Sequence, residues 1–231
     1  MTYDDSQNPL MAGLTTKGKA DSNLWSKLNS VKKEDLWISA AKKIHLPAGY
    51  ELFEFDGLNI NTEGSLRSLC KLLGPGKRVD SVLLSGIPGS GKTGYLACMA
   101  RELFYNWAEL SNDLPDKLPL LFSPYVRYLT FSELSAYFYN EEGVPAEVED
   151  SSLLLLDGLF DSVPTAWASG KLGAFIEGRW RGRKTTWITT SRSAEEIKSL
   201  PAVDKVVSCL SDDKWIRFFV LKSVNRRELK R

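Results

Sequence analysis

The chain holds one histidine, three methionines and three cysteines among 231 residues. His45 stands alone, and Cys70, Cys98 and Cys209 lie far apart with no C-x-x-C, so neither a zinc site nor a disulfide framework is expected, and a reducing compartment is. No apolar run approaches a membrane span, and the start, Met-Thr-Tyr-Asp-Asp, lacks the basic-then-apolar build of a signal peptide. A cytoplasmic protein with no membrane contact is the expectation. Net charge is nearly absent at +1, so nucleic-acid contact would have to come from local patches rather than a global field. Hydrophobic content of 43% and charged content of 26% are ordinary for a globular chain, and the length suits one α/β domain plus a short extension.

What is present is concentrated in Gly86-Ile87-Pro88-Gly89-Ser90-Gly91-Lys92-Thr93, which matches the phosphate-loop pattern G-x-x-x-x-G-K-[ST] at every defined position. Glycines let the backbone curl so that several N–H groups converge on phosphate oxygens. Lys92 supplies a point charge to the outer phosphates and Thr93 a hydroxyl to Mg²⁺. The context agrees: Val82-Leu83-Leu84 reads as a buried strand, and Thr93 to Leu110 as a helix with Leu96, Met99, Ala100, Leu103 and Trp107 at helical spacing. Gly86, Pro88, Gly89, Ser90, Gly91, Lys92, Thr93 and Gly94 are therefore the expected ATP-binding residues.

A second signal is Leu153-Leu154-Leu155-Leu156-Asp157, an apolar run ending in an acid, which reads as a buried strand delivering a carboxylate to the Mg²⁺ shell. Thr93 and Asp157 are the expected metal residues. Oligomeric ATPases usually place a second, water-orienting acid directly after that aspartate. Here the position is Gly158, and Asp161 is close but out of register.

The rest of the chain is read from pattern. Residues 1–22 are polar and expected to be mobile. Residues 23–43 show two helix-like stripes, Leu24, Trp25, Leu28 and Val31, then Leu36, Trp37, Ala40, Ala41 and Ile44, which pack on the chain's own core or dock onto a partner. Pro47 to Leu58 reads as an entry loop and Glu63 to Leu73 as a helix stopping at Gly74-Pro75-Gly76. Asp113 to Pro124, with three prolines, reads as a loop, and Glu141 to Asp150 as a solvated acidic connection. Tyr125 to Leu129 is an expected strand, with a helix start at Thr130-Phe131-Ser132-Glu133. Thr165 to Arg179 is an expected helix, followed by the basic run Gly178 to Lys184 and a strand Thr185 to Thr190 ending at Ser191-Arg192. Short helices over Ser193 to Leu200 and Val203 to Leu210, a strand Trp215 to Leu221 and a basic tail Asn225 to Arg231 complete the chain.

Taken in order, the lead-in Leu46-Pro47 through Phe55-Asp56, the phosphate loop, Tyr128 to Leu134, Leu153 to Asp157, and Arg179-Trp180 through Ser191 resemble the AAA+ ATPases of the DnaC/DnaI helicase-loader and IstB transposition-helper group. The resemblance spans about residues 46–227. It implies an α/β P-loop AAA+ core, with a parallel five-stranded sheet between helices and no C-terminal lid domain. It divides the chain into an N-terminal extension, 1–45, with partner-docking helices, and an ATP-binding domain, 46–231. It further implies ATP and Mg²⁺ as cofactors, and ATP-dependent homo- or hetero-oligomers in which one subunit's arginine completes the next subunit's site. The implied partners are a replicative helicase, or a transposase-like protein, and DNA, single-stranded for a loader. Lys92, Asp157, Ser191 and Arg179 are the implied catalytic positions, with Ser191 where the group carries asparagine, and Arg226 matches an arginine near its end. The trans-acting arginine of the group falls in a Ser-Arg-Leu-like turn, where this chain has Ser208-Cys209-Leu210. With Gly158 and Ser191, three hydrolysis-linked positions depart together. ATP binding is thus better supported than turnover, and a nucleotide-bound, non-catalytic subunit of a nucleoprotein assembly stays open beside the loader and the transposition helper.

Overall fold

Ser81–Ser85 (β1) is buried at all five residues, which only a central strand covered on both faces can be. In the computed structural model it lies between two parallel neighbours, β4 (Thr185–Thr190) and β5 (Ile216–Val220). With β2 (Val126–Thr130) and β3 (Leu153–Asp157) they form a five-stranded sheet in the order β2-β3-β4-β1-β5. The described residues are 24–53, 66–67, 69–70, 80–111, 113–140 and 143–221. Expectations for residues 1–22, for Phe55-Asp56, for most of Glu63 to Leu73 and its Gly74-Pro75-Gly76 stop, and for the tail with Arg226 lie outside them.

The helices bounded within the described residues are, in chain order, α1 (Ser30–Lys43), α2 (Lys92–Leu110), α3 (Leu118–Phe122), α4 (Phe131–Tyr139), α5 (Ala146–Glu149), α6 (Ala166–Arg181), α7 (Ala194–Lys198) and α8 (Asp204–Leu210). Their starts are written in the sequence. Thr130 and Glu133 close a reciprocal capping box on α4, Ser193 and Glu196 another on α7, and Thr165 caps α6. No described helix is long and apolar enough to cross a membrane.

Contacts divide the chain into two compact units: residues 1–79 with 97–126, and residues 80–96 with 127–231. The second holds most of the sheet and a continuous core in which Leu83, Leu154, Leu156 and Ile188 meet Phe131, Phe160, Leu172, Ile176 and Val206. In the first, Asn29 caps α1, and Leu36, Trp37, Ala40 and Ala41 are buried at helical spacing. The residues around Trp25 form turns rather than a first helix, and Trp25 is itself buried while Leu24 and Val31 face out. Phe104 is the hub of this unit. Trp25 and Phe122 meet it edge-on at 5.8 and 5.2 Å, and Trp37 and Trp107 lie tilted at 5.9 and 6.4 Å. Neither Trp25 nor Trp37 is therefore an exposed anchor.

Two stretches expected as loops carry helix. Asp113 to Pro124 contains a 3₁₀ turn, Pro115–Lys117, and α3. Pro115 and Pro119 sit in first turns, where a missing N–H costs nothing, and Pro124 follows the end of α3. Glu141 to Asp150 contains α5, which begins directly after Pro145.

Candidate nucleotide site

The site forms where strands end. Ser85 pairs with Thr190 across the parallel β1–β4 ladder, and Gly86 N–H donates to Thr190 O at 3.2 Å, so the phosphate loop leaves the sheet beside Ser191. Parallel strands all present their C-terminal ends at one edge, and ligands of such sheets bind there. Gly89 and Gly91 adopt φ of +81° and +91°, the left-handed region that a side chain would strain, and this curls the loop. Ser90 is buried within it, Pro88 lies on its outer face, and Gly94 is buried in the first turn of α2. The amino end of that 19-residue helix, with its partial positive charge, therefore faces the loop.

Lys92 Nζ donates to the carbonyls of Gly86 at 2.7 Å and Ile87 at 2.9 Å, its ammonium lying inside the loop. Thr93 Oγ1 donates to Asp157 Oδ2 at 2.8 Å. The two expected metal residues, from different elements, are thus brought together. Tyr128 OH donates to the same Oδ2 at 2.8 Å, and Thr189 Oγ1 to Oδ1 at 2.5 Å. Thr189 also accepts from Gly158 N at 2.8 Å. Tyr128 and Thr189 orient the carboxylate, and in sequence both look like ordinary strand residues. A hydroxyl and a carboxylate are hard oxygen donors, which suit Mg²⁺. That ion is typically held by one or two protein oxygens, with phosphate and water completing the shell. The residues present therefore fit a Mg²⁺–nucleotide, with Thr93 and Asp157 as its protein ligands and Lys92 on phosphate.

Ser191 lies at this edge, its N–H donating to Asp161 Oδ1 at 3.2 Å. Arg192 is there too, its guanidinium donating to Phe160 O at 2.5 Å.

Arg179 is not part of the site. It is 2% exposed and lies at the other end of the strands. There its guanidinium donates to Thr186 Oγ1 at 3.0 Å, Ser151 O at 3.1 Å and Thr185 O at 2.7 Å, with longer bonds to Val148 O and Glu149 O at 3.4 Å. Thr186 and Thr189 are three strand residues apart, about 10 Å. Burial lowers the pKa of Arg179 to about 9, so it is charged at neutral pH, and carbonyl and hydroxyl dipoles carry the charge. The expected catalytic role fails because its face of α6 is the one that packs inward.

The basic run is likewise largely consumed. Arg181 pairs with Glu177 at 2.6 Å and Lys184 with Asp150 at 3.1 Å. Cys209, where the resemblance implied a trans arginine, is packed in the core, and burial raises its thiol pKa.

No protein-family model and no curated protein matches the sequence. Solved structures do resemble it. A DnaC helicase loader superposes with TM-score 0.60 at 17% identity, over 76% of this chain and 100% of that one. DnaI gives 0.57 at 16%, over 80% and 100%. DnaA from Aquifex aeolicus, bound to AMPPCP, gives 0.53 at 17%, over 80% of this chain and 53% of its own. Identity this low speaks to architecture. With its five parallel strands, its phosphate loop after β1 and its acid at the tip of β3, the chain has the AAA+ fold that these replication proteins share.

Proposed function

We propose that the chain is an ATP-binding AAA+ protein of the helicase-loader kind, which uses Mg²⁺–ATP to assemble and to act on a replicative helicase and single-stranded DNA. The observation that carries this reading is the meeting of Thr93 and Asp157 at 2.8 Å beside the buried ammonium of Lys92. Bound Mg²⁺ would neutralise phosphate charge. The protein's own part is to cradle phosphates on the loop N–H groups, pair them with Lys92, and hold the Asp157 carboxylate through Tyr128 and Thr189.

The test is equilibrium binding of a fluorescent ATP analogue. Lys92→Ala is expected to weaken it about 10- to 150-fold, the worth of a charge-assisted hydrogen bond at roughly 1.5–3 kcal/mol. Wild-type protein that fails to bind would sink the proposal.

The single-stranded DNA part is supported by an exposed aromatic face. Tyr139 and Trp167 lie 4.9 Å apart at 34°, both largely exposed, and Lys171 stands 5.6 Å from the Trp167 ring. Aromatic rings beside a cation are a platform for unpaired bases. Trp167→Ala is expected to reduce single-stranded DNA affinity by about 1–3 kcal/mol, read by fluorescence anisotropy of a labelled oligonucleotide. A transposition helper is the alternative, which a preference for stable double-stranded filaments would favour. The burial of Cys209 favours slow turnover in either case, since a buried thiol offers no positive charge to phosphates.

A further inference from the structure

We propose that Asp161 is the group that orients and deprotonates the attacking water in ATP hydrolysis at this site, an assignment that rests on the ATP-binding reading above. Transfer of a phosphoryl group to water needs a side chain that positions the nucleophile. The residue after Asp157 is Gly158, at φ +74°, and it offers none. A Cβ built on Gly158 would lie 2.9 Å from Asp161 Oδ2. The Asp161 carboxylate thus occupies the space into which a side chain at 158 would project. The glycine and the aspartate are one arrangement, in which the absent side chain makes room for the acid three residues later.

The carboxylate is held in place. Oδ1 accepts the Ser191 N–H at 3.2 Å, and among the described residues no donor reaches Oδ2. The loop that carries it is fastened to β4: Leu159 N–H donates to Thr189 O at 2.7 Å, Thr190 Oγ1 donates to Leu159 O at 2.7 Å, and Arg192 closes on Phe160 O. Phe160 takes φ +62°, rare for a bulky residue, and is fully buried. Such a conformation persists only where its surroundings over-determine it. Asp157, Gly158, Asp161, Thr189 and Ser191 form one connected hydrogen-bonded group at the strand tips, next to the phosphate loop.

In the step proposed, the oxygen of water forms a bond to the γ-phosphorus while the bond from that phosphorus to the β–γ bridging oxygen breaks. The electron pair of the broken bond goes to ADP, and the proton of water goes to Asp161 and then to solvent.

The experiment uses the full chain with Mg²⁺ and γ-³²P-ATP under single-turnover conditions, beside equilibrium binding of a fluorescent ATP analogue and thermal melting. Asp161→Asn keeps the size of the side chain and removes the base. It is expected to lower the rate about 100-fold with affinity and melting temperature unchanged, and Asp161→Glu to restore part of the rate. Asp161→Asn that turns over within about threefold of wild type overturns the assignment, as does a variant that loses binding along with rate, which would make Asp161 only a support of the loop. Wild type that binds ATP with no turnover also overturns it, leaving the nucleotide-binding reading intact. Wild type that does not bind overturns both.

Discussion

Arg179→Ala is expected to lower the unfolding free energy by about 3–5 kcal/mol, a large part of the roughly 5–15 kcal/mol available to a domain. The guanidinium meets no carboxylate among the described residues. It donates instead to carbonyls at the entry of β3 and β4 and at the carboxyl end of α5. Removing it strips donors from several buried carbonyls, at about 1–3 kcal/mol for each left unsatisfied, and opens a cavity between α6 and the sheet. Arg179→Lys keeps the charge but not the planar fork, and is expected to recover only part of the loss. Urea denaturation measures the size. Amide exchange of β3 and β4 checks the place, since these strands should open first. A loss within about 0.5 kcal/mol, the level of a surface substitution, would contradict the clamp. ATP affinity measured well below the melting transition should hardly change, because the cluster lies at the strand ends away from the loop.

Phe104→Ala should be comparably severe, at about 3–5 kcal/mol for deleting a buried aromatic. Phe104 has no exposed surface and touches Trp25, Trp37, Trp107 and Phe122 within 6.4 Å. Each such pair contributes about 0.5–1.5 kcal/mol beyond the area it buries. Trp37 is further fixed by its indole N–H on Glu51 O at 2.8 Å, and Arg101 and Tyr105 both bond the Glu34 carboxylate from α2. Exchange of the α1 amides should accelerate in the variant while the central sheet stays protected. Unchanged α1 protection would mean that the tryptophans are held by something other than this hub. A docking role for the 23–45 segment then rests on its outward residues, Leu24 and Val31, rather than on Trp25 or Trp37.

Much of this was legible in sequence because the signals are local. The phosphate loop needs glycines at fixed short spacing, the capping boxes need residues three apart, and the Leu153 to Asp157 run is one uninterrupted strand. What sequence hid is mostly pairwise and remote. That Tyr128 and Thr189 close on Asp157 follows from the register of parallel strands, which no short window reports. The burial of Arg179 does carry a sequence signal: Leu172, Phe175 and Ile176 put the inward face of α6 at 179 too. Cys209 follows the same logic, since Val206 and Cys209 of α8 are buried on one stripe with the N-cap residue Val203. The prolines of 113–124 misled in the opposite direction, because proline ends a helix only when it stands beyond the first turn.

The inward fold of Lys92 has a thermodynamic consequence. Its ammonium already holds two loop carbonyls, and Thr93 already holds Asp157. On the ATP-binding reading proposed above, an incoming nucleotide would therefore trade bonds rather than simply add them. Part of the contact enthalpy visible in a bound state would be cancelled by contacts surrendered, so calorimetry should record less heat than a tally of phosphate contacts predicts. The loop carries its own internal hydrogen bonds, and phosphate contact would exchange some of these for others.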